Sequence, residues 1–197
     1  MNRRVVLRLT GIFLVIISFR CSAPKESNEP ALPPARSAES EQKPVEIKIY
    51  DLSKEDITKI PDITSRNISV EGVKLGDRTR DVDKILGNPI KTETIPRQVY
   101  RSAYRDHGLY LEFDIYTGKV KTIFVNNLYK KAKGDLAVLL ANGKLELLKK
   151  AFGDNPVESH PEPKTTMFEY PSKGILFIHQ DQLEVGSHTL KLVEPKG

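Results

Sequence analysis

The sequence predicts an α+β fold. Two tandem units are expected, each a helix (or helix pair) packed on an antiparallel three- to four-stranded meander, after a disordered N-terminal tether. Three observations carry this expectation. Residues 80–89, "RDVDKILGNP", and 147–156, "LLKKAFGDNP", are both short amphipathic stretches stopped by Gly, with Pro soon after. Segments that alternate apolar and polar residues follow the first of them, as half-buried strands do. Matching positions then recur at one constant offset: Gly87 with Gly153, Tyr104 with Tyr170, Gly108 with Gly174.

The N-terminal stretch, "MNRRVVLRLTGIFLVIISFRC" (1–21), places a basic region ahead of an apolar run from Gly11 to Phe19. That is the layout of an export signal, and the run is too short to span a bilayer. Cys21 is the one cysteine, so no intrachain disulfide can form. Its position resembles the lipidated cysteine that becomes the mature N-terminus of bacterial lipoproteins. Phe19 and Arg20 stand before it, an irregular lipobox, and Ser22 after it resembles the outer-membrane sorting pattern. An uncleaved short anchor and a secreted protein are the alternatives. Residues 22–44 hold no aromatic residue and are rich in Pro, Ser, Ala and Glu. Such a stretch buries too little apolar area to offset its ordering entropy, and is expected to be a tether.

Residues 45–72 are expected to hold a strand and a short helix. In "VEIKIYDL" (45–52), Val45, Ile47 and Ile49 alternate with Glu46, Lys48 and Tyr50. "SKEDITKI" (53–60) offers Ser53 as N-cap, with Asp56 three residues on. "NISVEGVKL" (67–75) is an extended piece.

The first unit spans residues 73–126. Thr79 is a candidate N-cap, and Asp81 and Asp83 suit the positive end of a helix. Val82, Ile85 and Leu86 form its apolar face, and Gly87 supplies a left-handed stop before Pro89. "QVYRSAYR" (98–105), "GLYLEFDIY" (108–116) and "KVKTIFV" (119–125) then read as three antiparallel strands. Leu109, Leu111, Phe113 and Ile115 are expected on one face, with Tyr110, Glu112, Asp114 and Tyr116 on the other. The second unit spans 127–197. "GDLAVLLANGKLELLKKAFG" predicts a longer or paired helix, "GILFIHQ" a clear strand, and "LEVG" with "HTLKLVEP" a hairpin.

A turn Gly and Thr, a helix, Leu-Gly-x-Pro and the meander "GLYLEFD…TGKVKTIFV" together resemble small envelope lipoproteins of the BamE/SmpA/OmlA type. The duplicated unit is similar to that of β-lactamase inhibitor protein. The resemblance covers residues 73–125 and, more faintly, 135–193. It implies a protein that is not an enzyme. Some proteins of that type brace an outer-membrane assembly complex, and the inhibitor proteins clasp a partner with an exposed sheet face. Neither partner is carried over to this chain, whose two expected units and irregular lipobox depart from the type.

Charge and motifs point the same way. The formal charge is +5, but Arg3, Arg4, Arg8 and Arg20 sit in the leader; without them 27 Lys+Arg face 26 Asp+Glu. Nucleic-acid binding wants a basic stripe without matching acids, so it is not expected. Hydrolysis needs a converging nucleophile, base and orienting group, and no phosphate loop or nucleophile elbow is present. His107 reads as a solvated turn residue, and His160 as part of the Pro-rich loop "NPVESHPEPK". His179 and His188 lie on neighbouring strands; a metal there would need Asp181 or Glu184, and no zinc-type spacing appears. No metal and no cofactor is expected. Arg101, Arg105, Tyr110, Glu112 and Tyr116 are the candidate partner-binding residues, because Tyr and Arg concentrate at binding hot spots. Tyr100 and Tyr104 alternate with the arginines and are expected in the core. The expected function is a non-catalytic scaffold or adaptor in the cell envelope. It would be lipid-anchored at Cys21, face the periplasm from the outer membrane and bind another envelope protein. The alternative is a proteinaceous inhibitor of an envelope hydrolase.

Overall fold

A computed structural model describes residues 47–96, 99–105, 107–181 and 188–196; the leader, the tether and Cys21 lie outside the described residues. Two short strands, β1 (Tyr50–Asp51) and β2 (Ile68–Ser69), pair in parallel. Eight more form one antiparallel sheet. They are β3 (Lys91–Ile95), β4 (Val99–Tyr104), β5 (Leu109–Asp114), β6 (Val120–Asn126), β7 (Val157–Glu162), β8 (Thr165–Tyr170), β9 (Ile175–Gln180) and β10 (His188–Leu192). Their order across the sheet is β3-β4-β5-β6-β10-β9-β8-β7. Two four-stranded meanders therefore join through β6 and β10, with β3 and β7 at the edges. The helices are α1 (Thr79–Leu86), α2 (Gly134–Asn142) and α3 (Leu145–Phe152).

Alternation sets which face is buried. Leu109, Leu111 and Phe113 of β5 are fully buried, while Tyr110, Glu112 and Asp114 between them are half-exposed. In β9, Ile175 and Phe177 are buried and Leu176 and Ile178 are not. The buried face is in one core with Val82 and Leu86 of α1, Leu136, Leu139 and Leu140 of α2, and Leu148 and Phe152 of α3. Leu52, Ile57, Ile63, Ile68, Val70 and Val73 join the same core, so the segment ahead of α1 is part of the fold and not a separate module. Each such aliphatic or aromatic side chain contributes about 1.5–3 kcal/mol by leaving water. Tyr104 is buried and Tyr100 stacks on Phe113 at 4.9 Å, as the alternation of β4 predicts.

Glycine ends each of these three helices, in two different ways. Gly87 (φ 78°, ψ −167°) and Gly153 (φ 104°, ψ 169°) have positive φ with extended ψ, so the expected left-handed stop at Gly87 is corrected to a sharper exit. Only glycine adopts that region readily. Gly143 (φ 61°, ψ 29°) is truly left-handed and separates α2 from α3.

Other local expectations are corrected. Ile47 and Ile49 are exposed and Leu52 is buried, so the buried side of the N-terminal strand is opposite to the one its isoleucines suggested. Ser53 bonds Asp51; the cap is Asp56, whose carboxylate accepts from the Thr58 amide at 3.4 Å and starts a one-turn 3-10 helix, Ile57–Lys59. Thr79 is the first residue of α1 and not its cap; its hydroxyl lies 2.6 Å from the Tyr100 hydroxyl and 3.0 Å from the Gly118 carbonyl. Ile85 is 44 % exposed because the short α1 has a narrow buried stripe of Val82 and Leu86 alone. Ile115 is exposed because β5 ends at Asp114. Two edge strands, β3 and β7, are polar enough to read as loop, and β7 takes in His160.

Candidate partner-binding face

The face of the sheet opposite the core carries the charged residues of β4 and β5. Antiparallel register places Arg101 between Glu93 on β3 and Glu112 on β5. Its guanidinium lies 2.5 Å from Glu112 and 3.9 Å from Glu93. It also sits 5.1 Å from the ring centre of Phe124, and the Lys191 ammonium lies 5.0 Å from that same ring. Both are cation–π distances. Tyr110 is directly opposite Phe124. Lys91, Glu93, Arg101, Ala103, His107 and Tyr110 line a cleft of about 250 Å³ beside the cluster. The Arg101 Nε is buried with no hydrogen-bond partner among the described residues.

Three of the five predicted residues, Arg101, Tyr110 and Glu112, therefore come together. Arg105 does not join them. It follows β4 at φ 47°, which turns its side chain towards Glu71, 3.3 Å away. Tyr116 sits in the β5–β6 turn, 72 % exposed, after Asp114 has ended the strand. Asp114 closes that turn. The amide of Thr117, then Lys121, the Thr117 hydroxyl and the Tyr116 amide hold its pKa down at about 2.

Phe124, Lys191 and Glu93 are the members that sequence reasoning missed. Phe124 had a readable signal: in "KTIFV" it alternates with Ile123 and Val125, which are buried. Lys191 needed the β6–β10 pairing, Phe124 opposite Lys191, which no local pattern announces.

His179 and His188 do meet across the hairpin, with ring centres 4.8 Å apart. His179 Nε2 lies 2.6 Å from Asp181. The His188 Nδ1–H donates to the Leu140 carbonyl at 3.1 Å, closing the C-terminal end of α2 onto β10. His160 lies 3.3 Å from Thr166 and 3.4 Å from Glu158. Among the described residues no group of three or more His, Cys, Asp or Glu is placed to hold a metal, and no helix is long and apolar enough to cross a membrane. Glu184 lies outside the described residues.

No family model and no curated protein matches the chain. Among solved structures it is similar to a DUF4309 family protein (YjgB) from Bacillus subtilis, at 13 % identity and a TM-score of 0.42, over 64 % of this chain and 84 % of that one. It is also similar to an extracellular protein containing an SCP domain from Bacillus anthracis, at 14 % identity and a TM-score of 0.40, over 61 % of this chain and 44 % of that one. Likenesses of that size carry no argument about what the chain does.

Proposed function

We propose that the chain is a lipid-anchored protein of the bacterial cell envelope. It acts as a non-catalytic scaffold or adaptor and binds another protein with the face of its sheet opposite the core. The observation that carries the reading is the cluster at the middle of that face: Phe124 between Arg101 and Lys191, with Tyr110 and Glu112 beside it. Aromatic and Arg side chains near the centre of a flat surface are the usual anchors of an interface. Cys21 and the stretch 22–44 support the anchor and its tether at the level of sequence. An inhibitor of an envelope hydrolase is the second reading, and it uses the same face.

We infer that the folded part is a tandem duplication. The offset that separates Gly87 from Gly153 also carries one strand pairing onto another. It takes the pair Val99–Asp114 onto Thr165–Gln180. It takes Lys91–Ala103 onto Val157–Glu169. The third ladder slips by a single position: Leu109 pairs with Val125, but Ile175 pairs with Leu192.

Intact mass of the protein extracted from membranes tests the anchor; a diacylglyceryl gain on Cys21 is expected. A water-soluble protein unchanged by Cys21→Ala would sink it. Crosslinking and capture with wild type and with the double variant Arg101→Ala/Tyr110→Ala tests the face. Equal recovery of every partner by both proteins rules that face out. Capture of a hydrolase with lost activity would select the inhibitor reading.

A further inference from the structure

Tyr116 is left out of the sheet-face cluster and stands with Ile115 on the turn between β5 and β6. Tyr116 is 72 % exposed and Ile115 45 %. Single exposed apolar residues are ordinary on protein surfaces. Two in succession at the tip of a hairpin, with cations around its base, are a different arrangement.

The turn is built to hold them out. Asp114 Oδ1 accepts from the Tyr116 amide at 3.0 Å, the Thr117 amide at 2.8 Å and the Thr117 hydroxyl at 3.1 Å. The Gly118 amide donates to the Asp114 carbonyl at 2.8 Å, and the Lys119 amide to the Thr117 hydroxyl at 3.4 Å. The start of α1 clamps the turn from behind: the Thr79 amide and hydroxyl both donate to the Gly118 carbonyl, at 2.9 and 3.0 Å. The amides of residues 116–119 are thus all bonded within the protein. Amides that already have acceptors cost little to take out of water, whereas free ones cost much. A tip that is apolar outside and satisfied inside can enter a lipid surface.

Charge supplies the second observation. Backbone bonds between residues 76–79 and 118–120 bring Lys74, Arg78, Lys119 and Lys121 around the base of the turn, all exposed. The acids among them are Asp77, whose carboxylate accepts from the Lys74 amide at 2.9 Å, and Asp114, which meets Lys121 at 3.2 Å. Glu194, beside the same turn, pairs with Arg66 at 3.5 Å. Further along α1, Arg80 and Lys84 match Asp81 and Asp83. Arg78 and Lys119 have no carboxylate partner among the described residues. Unpaired cations therefore flank the apolar tip.

That combination fits the interface of a bilayer with anionic headgroups. A Tyr ring is apolar with a wet hydroxyl, which suits the headgroup level, and Lys and Arg are drawn to the lipid phosphates. Nucleic acid would satisfy the cations but leave Ile115 in water. We propose that the β5–β6 turn dips into the surface of an anionic membrane, with Ile115 and Tyr116 at the headgroup level and Arg78 and Lys119 on lipid phosphates. This contact rests on the proposed anchor at Cys21, which keeps the membrane within reach. Ile47 is 26 positions beyond Cys21, and a chain of that length spans at most about 90 Å. The contact need only be weak, because an anchored chain meets the bilayer at high effective concentration.

The chain contains no tryptophan, so Tyr116→Trp gives an emission that reports on this turn alone. The full chain extracted from membranes is mixed with vesicles of phosphatidylcholine, alone or with about one-third phosphatidylglycerol. Sedimentation with the vesicles reads the anchor, and the emission reads the turn. Sedimentation is expected with both kinds of vesicle. A shift of the emission to shorter wavelength, quenched by lipids brominated on their upper acyl carbons, is expected with the anionic kind alone. Arg78→Ser/Lys119→Ser in that background should lower the insertion constant of the turn roughly 10- to 30-fold. Val157→Trp, on the exposed edge strand β7, should show no shift. Unshifted emission from a chain that sediments overturns the proposal and leaves the anchor standing. Equal shifts at positions 116 and 157, or on neutral and anionic vesicles, overturn it too. If the chain does not sediment, the anchor reading fails, and Cys21→Ala with anionic vesicles in excess decides for the turn on its own. Shifted emission there supports the contact, and unshifted emission overturns it.

Discussion

Replacing His188 by Phe tests whether a neutral imidazole holds the α2–α3 turn on the sheet. The ring stacks on Phe177 with centres 6.0 Å apart and on His179 at 4.8 Å. Its Nδ1–H reaches the Leu140 carbonyl at 3.1 Å. Its Nε2 side abuts Gly143, where an added Cβ would fall 2.8 Å from the ring carbon Cδ2. Burial first, and His179 second, lower its pKa from 6.5; the Leu140 carbonyl acts in the opposite sense. The sign of the linkage follows. A folded pKa below the unfolded one means the unfolded chain takes up the proton first as pH falls. The stabilisation is therefore complete above the unfolded pKa and is lost as pH drops below about 6.5, at no more than about 1.4 kcal/mol per pH unit. His188→Phe keeps a flat ring against Phe177 but leaves the Leu140 carbonyl without its donor. That should cost about 1–3 kcal/mol near pH 8, where the histidine is neutral. The assay is urea unfolding of both proteins in steps from about pH 8 to about pH 5. The gap between the proteins should narrow as pH falls below about 6.5. Parallel curves across that window would refute the argument, since His188 would then bind protons equally in both states.

Three further substitutions separate kinds of constraint. Gly108→Ala would put a Cβ 2.5 Å from the Tyr129 Cα and 2.6 Å from the Leu128 carbonyl carbon, both backbone atoms. A loss of about 3 kcal/mol or more in urea unfolding is expected, because backbone cannot step aside as a side chain can. Gly87→Ala meets nothing within 4 Å, so its loss should come from backbone strain alone, about 1–3 kcal/mol by the same measurement. Phe113→Ala removes a fully buried ring stacked on Tyr100 and should lower stability by about 3–5 kcal/mol, read from the shift in the urea midpoint at constant m-value.

The sequence made the middle strands of the sheet legible and its edges obscure. β5 could be read because it has one wet and one dry face, and alternation is the direct imprint of that geometry. The helix stops could be read because positive φ leaves glycine as a trace. β3 and β7 could not. Edge strands bury little and carry polar residues that discourage further pairing, so "KTETI" and "VESHPE" lack any apolar rhythm. At the candidate face, the trio of Arg101, Tyr110 and Glu112 followed from cross-strand register within one meander. Arg105 was misplaced because one residue at φ 47° ends the alternation that the reading relied on. Lys191 was out of reach because it arrives on β10, the last strand of the second meander, to lie opposite Phe124 in the first.

The two meanders differ in chemistry on the face opposite the core, and this bears on how a partner would sit. In the first meander the face opposite the core carries Lys91, Arg101, Tyr110 and Glu112. In the second meander the pairing places Val157, Met167, Leu176 and Ile178 on that face, with Glu169 between Val157 and Leu176. Met167, Leu176 and Ile178 are half-exposed and adjoin one another, Val157 is exposed beyond Glu169, and Phe124 and Lys191 stand at the boundary between the meanders. A partner covering both halves would need apolar surface over one and charge complementarity over the other, so a single orientation would satisfy it. Ile178→Asp tests this. The side chain is off the core, so the unfolding midpoint should shift little, but desolvating a carboxylate under a partner should abolish capture. Arg101→Ala should instead weaken capture partially, since its pair with Glu112 is partly exposed and contributes no more than about 1 kcal/mol to stability. If Ile178→Asp binds as wild type does while Arg101→Ala fails, the interface stops at Phe124 and only the charged half is used.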